Sequence, residues 1–185
     1  MNGERWFYRS EDEWAAIVER LKLTACPHCR AVGTLIRHGV LAGFDDGSPR
    51  RTVRARRVFC SNRHRRRGCG RTVSVWIAEK IRRLSLTART VWTFLRRAVA
   101  GSIAAAIRES DCPRSDRTFR RIWNRFRRNQ SAIRTALLNR GPPPDIPAAP
   151  STRPADAQVL AHLQTTFPAD SPIAAFQSAT RSFFL

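Results

Sequence analysis

Cys26-Pro27-His28-Cys29 places two thiols on one tight turn, and Cys60 and Cys69 supply two more further along the chain. Four thiolates in two pairs are the donor set of a closed tetrahedral zinc site, in which the ion holds structure instead of reacting. The second pair is unusual, because eight residues separate Cys60 from Cys69 where two to four are common. His64 offers a substitute at Cys-x-x-x-His spacing, but Gly68-Cys69-Gly70-Arg71-Thr72 has the glycine-flanked form of a zinc knuckle, so Cys69 is preferred. His28 and His38 read as knuckle or turn residues, and Cys112 beside Pro113 as a small hydrophobe. A catalytic zinc keeps an open position and a general base nearby. Residues 26–78 hold only Asp45 and Asp46 as acids, and in a glycine-flanked turn these read as a solvated loop. One structural Zn2+ is therefore the expected cofactor, and no catalytic residue is assigned.

Five cysteines is an odd number, and no hydrophobic leader or span is visible, which favours metal ligation over a disulfide framework. The chain is read as cytoplasmic, with no membrane partner. Charge then narrows the partner. Lys and Arg number 34 against 14 Asp and Glu, a formal +20. Residues 26–140 carry 28 of these bases and only 6 of the acids. Nearly all are arginine, whose guanidinium suits bidentate contact with phosphate and guanine. Nucleic acid is the first partner to consider.

Two stretches carry the basic candidates. Placed on a helical wheel, Phe119, Ile122, Trp123 and Phe126 share one side, and Arg117, Arg121, Asn124 and Arg128 lie opposite. An apolar face anchored behind and an Arg/Asn face in front are what a recognition helix needs in a major groove. Arg120, Arg125 and Arg127 sit nearer the flanks, where phosphates are met. The second stretch, Arg50 to Arg71, has ten arginines and no acid. There Arg54, Arg56, Arg57, Arg65, Arg66 and Arg67 are candidates for phosphate contact without sequence reading.

The elements that must position these groups follow from period and caps. Ser10-Glu11-Asp12-Glu13 has capping-box form, and Trp14, Ile17, Val18 and Leu21 continue at helical spacing to about Leu23. Thr34 to Arg37, Arg51 to Phe59 and Thr72 to Trp76 read as strands between glycine turns at Gly39, Gly43, Gly47, Gly68 and Gly70. Leu86, Val91, Leu95 and Val99 mark a helix that Gly101 ends. Ser102 to Glu109 gives a shorter helix, and Ser115 caps a third running to about Asn139. Gly141-Pro142-Pro143-Pro144 stops it, and later prolines keep the following stretch extended. Residues 155–185 show only a weak helical pattern at Val159, Leu160 and Leu163, read as a segment that docks back on the globular part.

Cys26-Pro27-His28-Cys29, Arg37-His38-Gly39, Arg56-Arg57-Val58-Phe59-Cys60 and Gly68-Cys69-Gly70-Arg71-Thr72 together resemble the zinc-ribbon module at the N-terminus of bacterial insertion-sequence transposases. In those proteins a helix-turn-helix that binds the element's terminal repeats follows the ribbon, and Ser115 to Trp123 looks like its recognition helix. The resemblance covers roughly residues 24–130. It departs at the long Cys60 to Cys69 loop and in the absence of a downstream carboxylate domain, since only 45 residues follow Arg140. This implies the DNA-binding part without the catalytic one. A separate transposase catalytic subunit, or a second copy of the chain, is then the protein partner to expect.

The expectation is an α+β protein in four parts. These are an N-terminal amphipathic helix (1–23), a four-cysteine zinc ribbon (24–78), a helix-turn-helix module (79–140) and a Pro-rich linker with C-terminal tail (141–185). Its function is sequence-specific binding of double-stranded DNA in a bacterial, nucleoid-associated setting. An RNA-binding or ribosome-associated zinc-ribbon protein, or a regulator derived from a transposase, remains the alternative.

Overall fold

The computed structural model describes residues 6–46, 48–63, 67–110, 112–145 and 153–185. The chain is mixed α+β and divides into two compact units, Met1–Gly43 with Arg50–Ala78, and Phe44–Pro49 with Glu79–Leu185.

The first unit is a four-stranded sheet of β1 (Trp6–Tyr8), β2 (Leu35–Gly43), β3 (Thr52–Cys60) and β4 (Thr72–Ile77), in the order β1-β4-β3-β2. The pairs β2–β3 and β3–β4 are antiparallel, with Leu35 opposite Cys60 and Phe59 opposite Thr72. The three-residue β1 runs parallel to β4 and is too short to announce itself by periodicity. The expected turn at Gly39 is instead an irregularity inside β2, which continues to Gly43. Helix α1 (Glu11–Arg20) starts at Ser10, whose hydroxyl accepts from the Glu13 amide at 3.2 Å. The Glu13 carboxylate in turn accepts the Arg9 amide at 2.7 Å, so the first turn is closed from both directions. Tyr8, Trp14, Leu21, Leu35, Val58 and Val75 form one buried cluster with Cys26 and Cys60. Two of the four cysteines therefore belong to the core.

The second unit is helical: α2 (Ala88–Ala100), α3 (Ile103–Arg108), α4 (Asp116–Leu138), α5 (Pro154–Thr166) and α6 (Pro172–Thr180). The hydroxyls of Thr87 and Ser102 cap α2 and α3 by accepting from Thr90 and Ala105 amides. Ser115 does occupy the N-cap position of α4, but its hydroxyl meets Thr118 Oγ1 at 3.2 Å instead of a backbone amide. Packing, more than capping, holds α4: Phe119, Ile122, Trp123, Phe126, Ile133 and Leu137 are buried, and Phe94 lies 4.9 Å from Phe119 between ring centroids.

Extended structure after Gly141 applies to residues 141–145, which form no regular element, and residues 146–152 lie outside the described set. From Pro154 the chain is helical and docks back on its unit. Pro154 and Pro172 stand in the first turns of α5 and α6, where a missing N–H costs nothing and the fixed φ favours the helix. Val159, Leu160, Leu163, Ile173, Phe176 and Phe184 are all buried. Phe184 stacks on Phe126 at 6.1 Å and meets Phe176 edge-on at 5.6 Å, while Gln177, fully buried, accepts the Phe184 amide at 3.1 Å.

Asp45 and Asp46 are not a solvated loop. Asp45 is 5% exposed and forms an ion pair with Lys80. Asp46 Oδ1 accepts the Thr87 amide at 3.0 Å, and the Asp46 amide donates to the Ser85 carbonyl. Both carboxylates are engaged within the second unit, one in compensating a lysine and the other in satisfying a backbone donor at the start of α2.

Candidate functional site

Cys26, Cys29, Cys60 and Cys69 present four sulfurs that all lie within 4.8 Å of one another. Sγ of Cys26 is 3.9 Å from that of Cys69, and Sγ of Cys29 is 3.6 Å from that of Cys60. A tetrahedral zinc with bonds of about 2.3 Å needs sulfurs about 3.8 Å apart. The donor set therefore fits one tetrahedral ion, and no described histidine or carboxylate joins the group.

Local backbone explains how the four arrive together. At the first knuckle the Arg30 amide donates to the Cys26 carbonyl at 2.8 Å, and the His28 amide points at Cys26 Sγ at 3.4 Å. At the second, Cys60 ends β3 and Cys69 stands just before β4, so both occupy the mouth of one antiparallel hairpin. The Cys60 amide donates to Arg71, the Gly70 amide to Cys60 and the Gly68 amide to Ser61. The wide spacing that looks unusual in sequence therefore still brings Cys60 and Cys69 to the same hairpin end. Gly68 is required there, since a Cβ would stand 2.2 Å from the Ser61 carbonyl oxygen. His64, the alternative ligand, lies outside the described residues.

Electrostatics favour a thiolate at Cys60. Burial works against charge there, but the Thr34 hydroxyl at 3.2 Å, the Cys69 amide at 3.2 Å and the neighbouring thiols outweigh it, bringing its pKa down to about 7. Burial pushes Cys26 up to about 12, only partly offset by the Cys29 and His28 amides. Hydrogen bonding thus favours the charged form at Cys60, while burial disfavours it at Cys26. Cys112 stands apart in the second unit, its thiol raised by burial and by Asp46.

The basic candidates separate into two groups. On α4, Arg117, Arg120, Arg121, Asn124, Arg127 and Arg128 are exposed and Arg125 is half-buried, with the aromatic face turned inward as the wheel requires. The connection from Glu109 to Ser115 is longer than the three- or four-residue turn of an ordinary helix-turn-helix. On the sheet, Arg67 is exposed and Arg57 half-buried, while Arg65 and Arg66 lie outside the described residues.

Arg54 and Arg56 are engaged within their own unit. Arg54 is 7% exposed, and its stem fills the space over Gly43, where a Cβ would meet its Cδ at 2.5 Å. Arg56 donates to Tyr8 Oη at 3.1 Å, grips the Glu11 carboxylate at 2.6 Å and lies 5.1 Å over the Trp14 ring. Burial raises the Tyr8 hydroxyl pKa against the pull of Arg56. The Arg54 stem and the Arg56 guanidinium both pack within the ribbon unit.

Sequence reasoning passed over Arg82 and Arg83. They sit on the turn in which the Leu84 amide donates to Ile81 at 3.2 Å, and Arg83 lines a groove with Arg121, Asn124, Arg125, Arg127 and Arg128 of α4. Their signal was a double arginine with no periodicity to give it a face. No described helix is long and apolar enough to cross a membrane. Compared with known proteins, the chain matches no family model, no curated protein and no solved structure.

Proposed function

We propose that this chain binds double-stranded DNA through the exposed face of α4, with one structural Zn2+ in the four-cysteine cluster stabilising the ribbon unit. What carries the reading is the division of α4. Arg117, Arg121, Asn124 and Arg128 face solvent while Phe119, Ile122, Trp123 and Phe126 are held in the core. Arginine and asparagine at successive helical turns are the side chains that read guanine and adenine edges in a major groove. Zinc is the metal that four tetrahedral thiolates select among ordinary divalent ions. The order of ribbon and helices, together with the knuckle motifs, supports a DNA-binding module of the insertion-sequence transposase kind.

The test is selection from a random duplex pool with zinc-loaded protein at about 0.15 M salt, run in parallel on Arg121→Ala and Asn124→Ala. An enriched motif that either substitution abolishes is the expected result. Affinity that falls steeply with salt, enriches nothing and ignores both substitutions would replace specific reading by charge alone. Structured RNA competing better than duplex would move the protein to the RNA class.

A further inference from the structure

We infer that the groove between the Ile81–Leu84 turn and α4 is a phosphate-binding notch, with Arg83 and Arg125 as its two jaws. It is a concavity of about 770 Å³ lined by Arg83, Leu84, Arg121, Asn124, Arg125, Arg127 and Arg128. Five guanidiniums and one amide meet there, and no described carboxylate pairs with any of the five. Three basic groups elsewhere in the unit do have acids: Lys80 has Asp45, Arg89 has Asp170 and Arg97 has Glu109.

Two further observations show that the notch is arranged at a cost to the unliganded fold. Arg125 is half-buried, and burial together with the charges of Arg128, Arg83 and Arg82 depresses its pKa. Arg83 itself has φ +61, a left-handed backbone that a residue with a Cβ adopts under strain. The turn is held by Ile81, fully buried, and by Arg82 stacked 5.2 Å over Phe183. Converging like charges on a strained turn find no carboxylate among the described residues, whereas an oxyanion accepting from several guanidiniums stabilises them. The chemistry fits a phosphate group, either a diester in a duplex backbone or a free or terminal phosphate. Assigning it to a duplex rests on the reading of α4 above; the notch itself does not.

The full zinc-loaded chain is titrated calorimetrically with inorganic phosphate, against chloride of matched ionic strength, and separately with a short duplex. Arg125→Gln should weaken phosphate by about tenfold or more, the scale of one lost charge-assisted bond. Arg83→Gly should weaken it too while melting no lower than the wild type, because glycine relieves the positive φ that the arginine endures. Arg108→Ala, an exposed arginine on α3 outside the groove, should leave it unchanged. Saturable phosphate binding with a parallel loss of duplex affinity assigns the diester. Phosphate binding lost in the variants with duplex affinity intact assigns a free or terminal phosphate, and removes the notch from DNA contact. No saturable phosphate binding by the wild type, or binding indifferent to both variants, overturns the inference whatever the duplex result.

Discussion

The Gly68 amide donates to the Ser61 carbonyl at 3.1 Å, and with the Gly70 amide on the Cys60 carbonyl it holds Cys69 beside Cys60. These bonds continue the β3–β4 register past Cys60 and space the ligand pair. Replacing residues 62–67 by a two-residue turn should therefore leave one zinc per chain. It should raise stability slightly, since halving a loop recovers about 0.6 kcal/mol. Gly68→Ala should act oppositely, costing about 1–3 kcal/mol as its methyl is forced against Ser61 O. Metal content and thermal midpoints of the two variants check both statements.

Removing the metal should unfold the first unit selectively. Cys26 and Cys60 are part of its core cluster, and a sheet of four short strands with one helix buries too little to stand without a staple. Chelation should collapse the amide dispersion of Val58 and Val75 while Phe119 and Leu163 keep theirs. Acid should act in the same direction, because protons compete with the ion for thiolates. If both sets of resonances survived chelation, the cluster would not be a structural site.

Arg56 and Glu11 test whether the sheet arginines serve packing. Glu11 is 73% exposed on its side chain, so its ion pair is discounted by solvent, whereas Arg56 is 21% exposed and lies over Tyr8 and Trp14. Glu11→Gln should cost less than about 0.5 kcal/mol. Arg56→Ala should cost about 1–3 kcal/mol through lost contacts and an unpaired Tyr8. Neither should change nucleic-acid affinity beyond the effect of one charge, which parallel urea denaturation and duplex titration would establish.

Much of this arrangement was legible because it rests on local rules. Ser10 and Ser102 announce their helices by the amides they accept, and Cys26-x-x-Cys29 announces a knuckle by the turn it forces. The inward face of α4 followed from Phe119, Ile122, Trp123 and Phe126 at helical spacing. What stayed hidden depends on partners distant in sequence. β1 is a strand only because β4 offers an edge to Trp6 and Tyr8. Arg54 is buried because Gly43, across the hairpin, leaves room for its stem. In α5 the buried stripe of Val159, Leu160 and Leu163 also holds Asp156, with His162 buried beside it, and these polar residues blur the apolar pattern. Asp45 read as solvated because nothing local shows that Lys80 closes on it.

Asp45 and Lys80 should behave as a buried pair. With side chains 7% and 15% exposed, removing one partner strands the other charge, and Asp45→Ala should cost about 3–5 kcal/mol. Lys80→Met should cost a similar amount. The double substitution should lose clearly less than the sum, because neither charge is then left alone. Chemical denaturation of the four proteins closes the cycle. Equal, additive losses would mean that Asp45 acts through other partners.

Phe184 links the end of the chain to the helix proposed to read DNA. Its ring packs on Phe126, one of the residues that anchor the rear of α4, and its carbonyl accepts from Asn129 Nδ2 of the same helix at 3.2 Å. Phe184→Ala should cost about 3–5 kcal/mol, as expected for a fully buried ring. Phe184→Leu should recover much of that loss by refilling the space. Because Phe126 and Arg125 are neighbours on α4, slack behind the helix moves the face in front of it. Duplex affinity in Phe184→Ala should therefore fall even at temperatures where the unit remains folded by circular dichroism, and Phe184→Leu should restore it. Affinity unchanged in the alanine variant would show that α4 keeps its place without the C-terminal ring, and that Phe184 contributes stability alone.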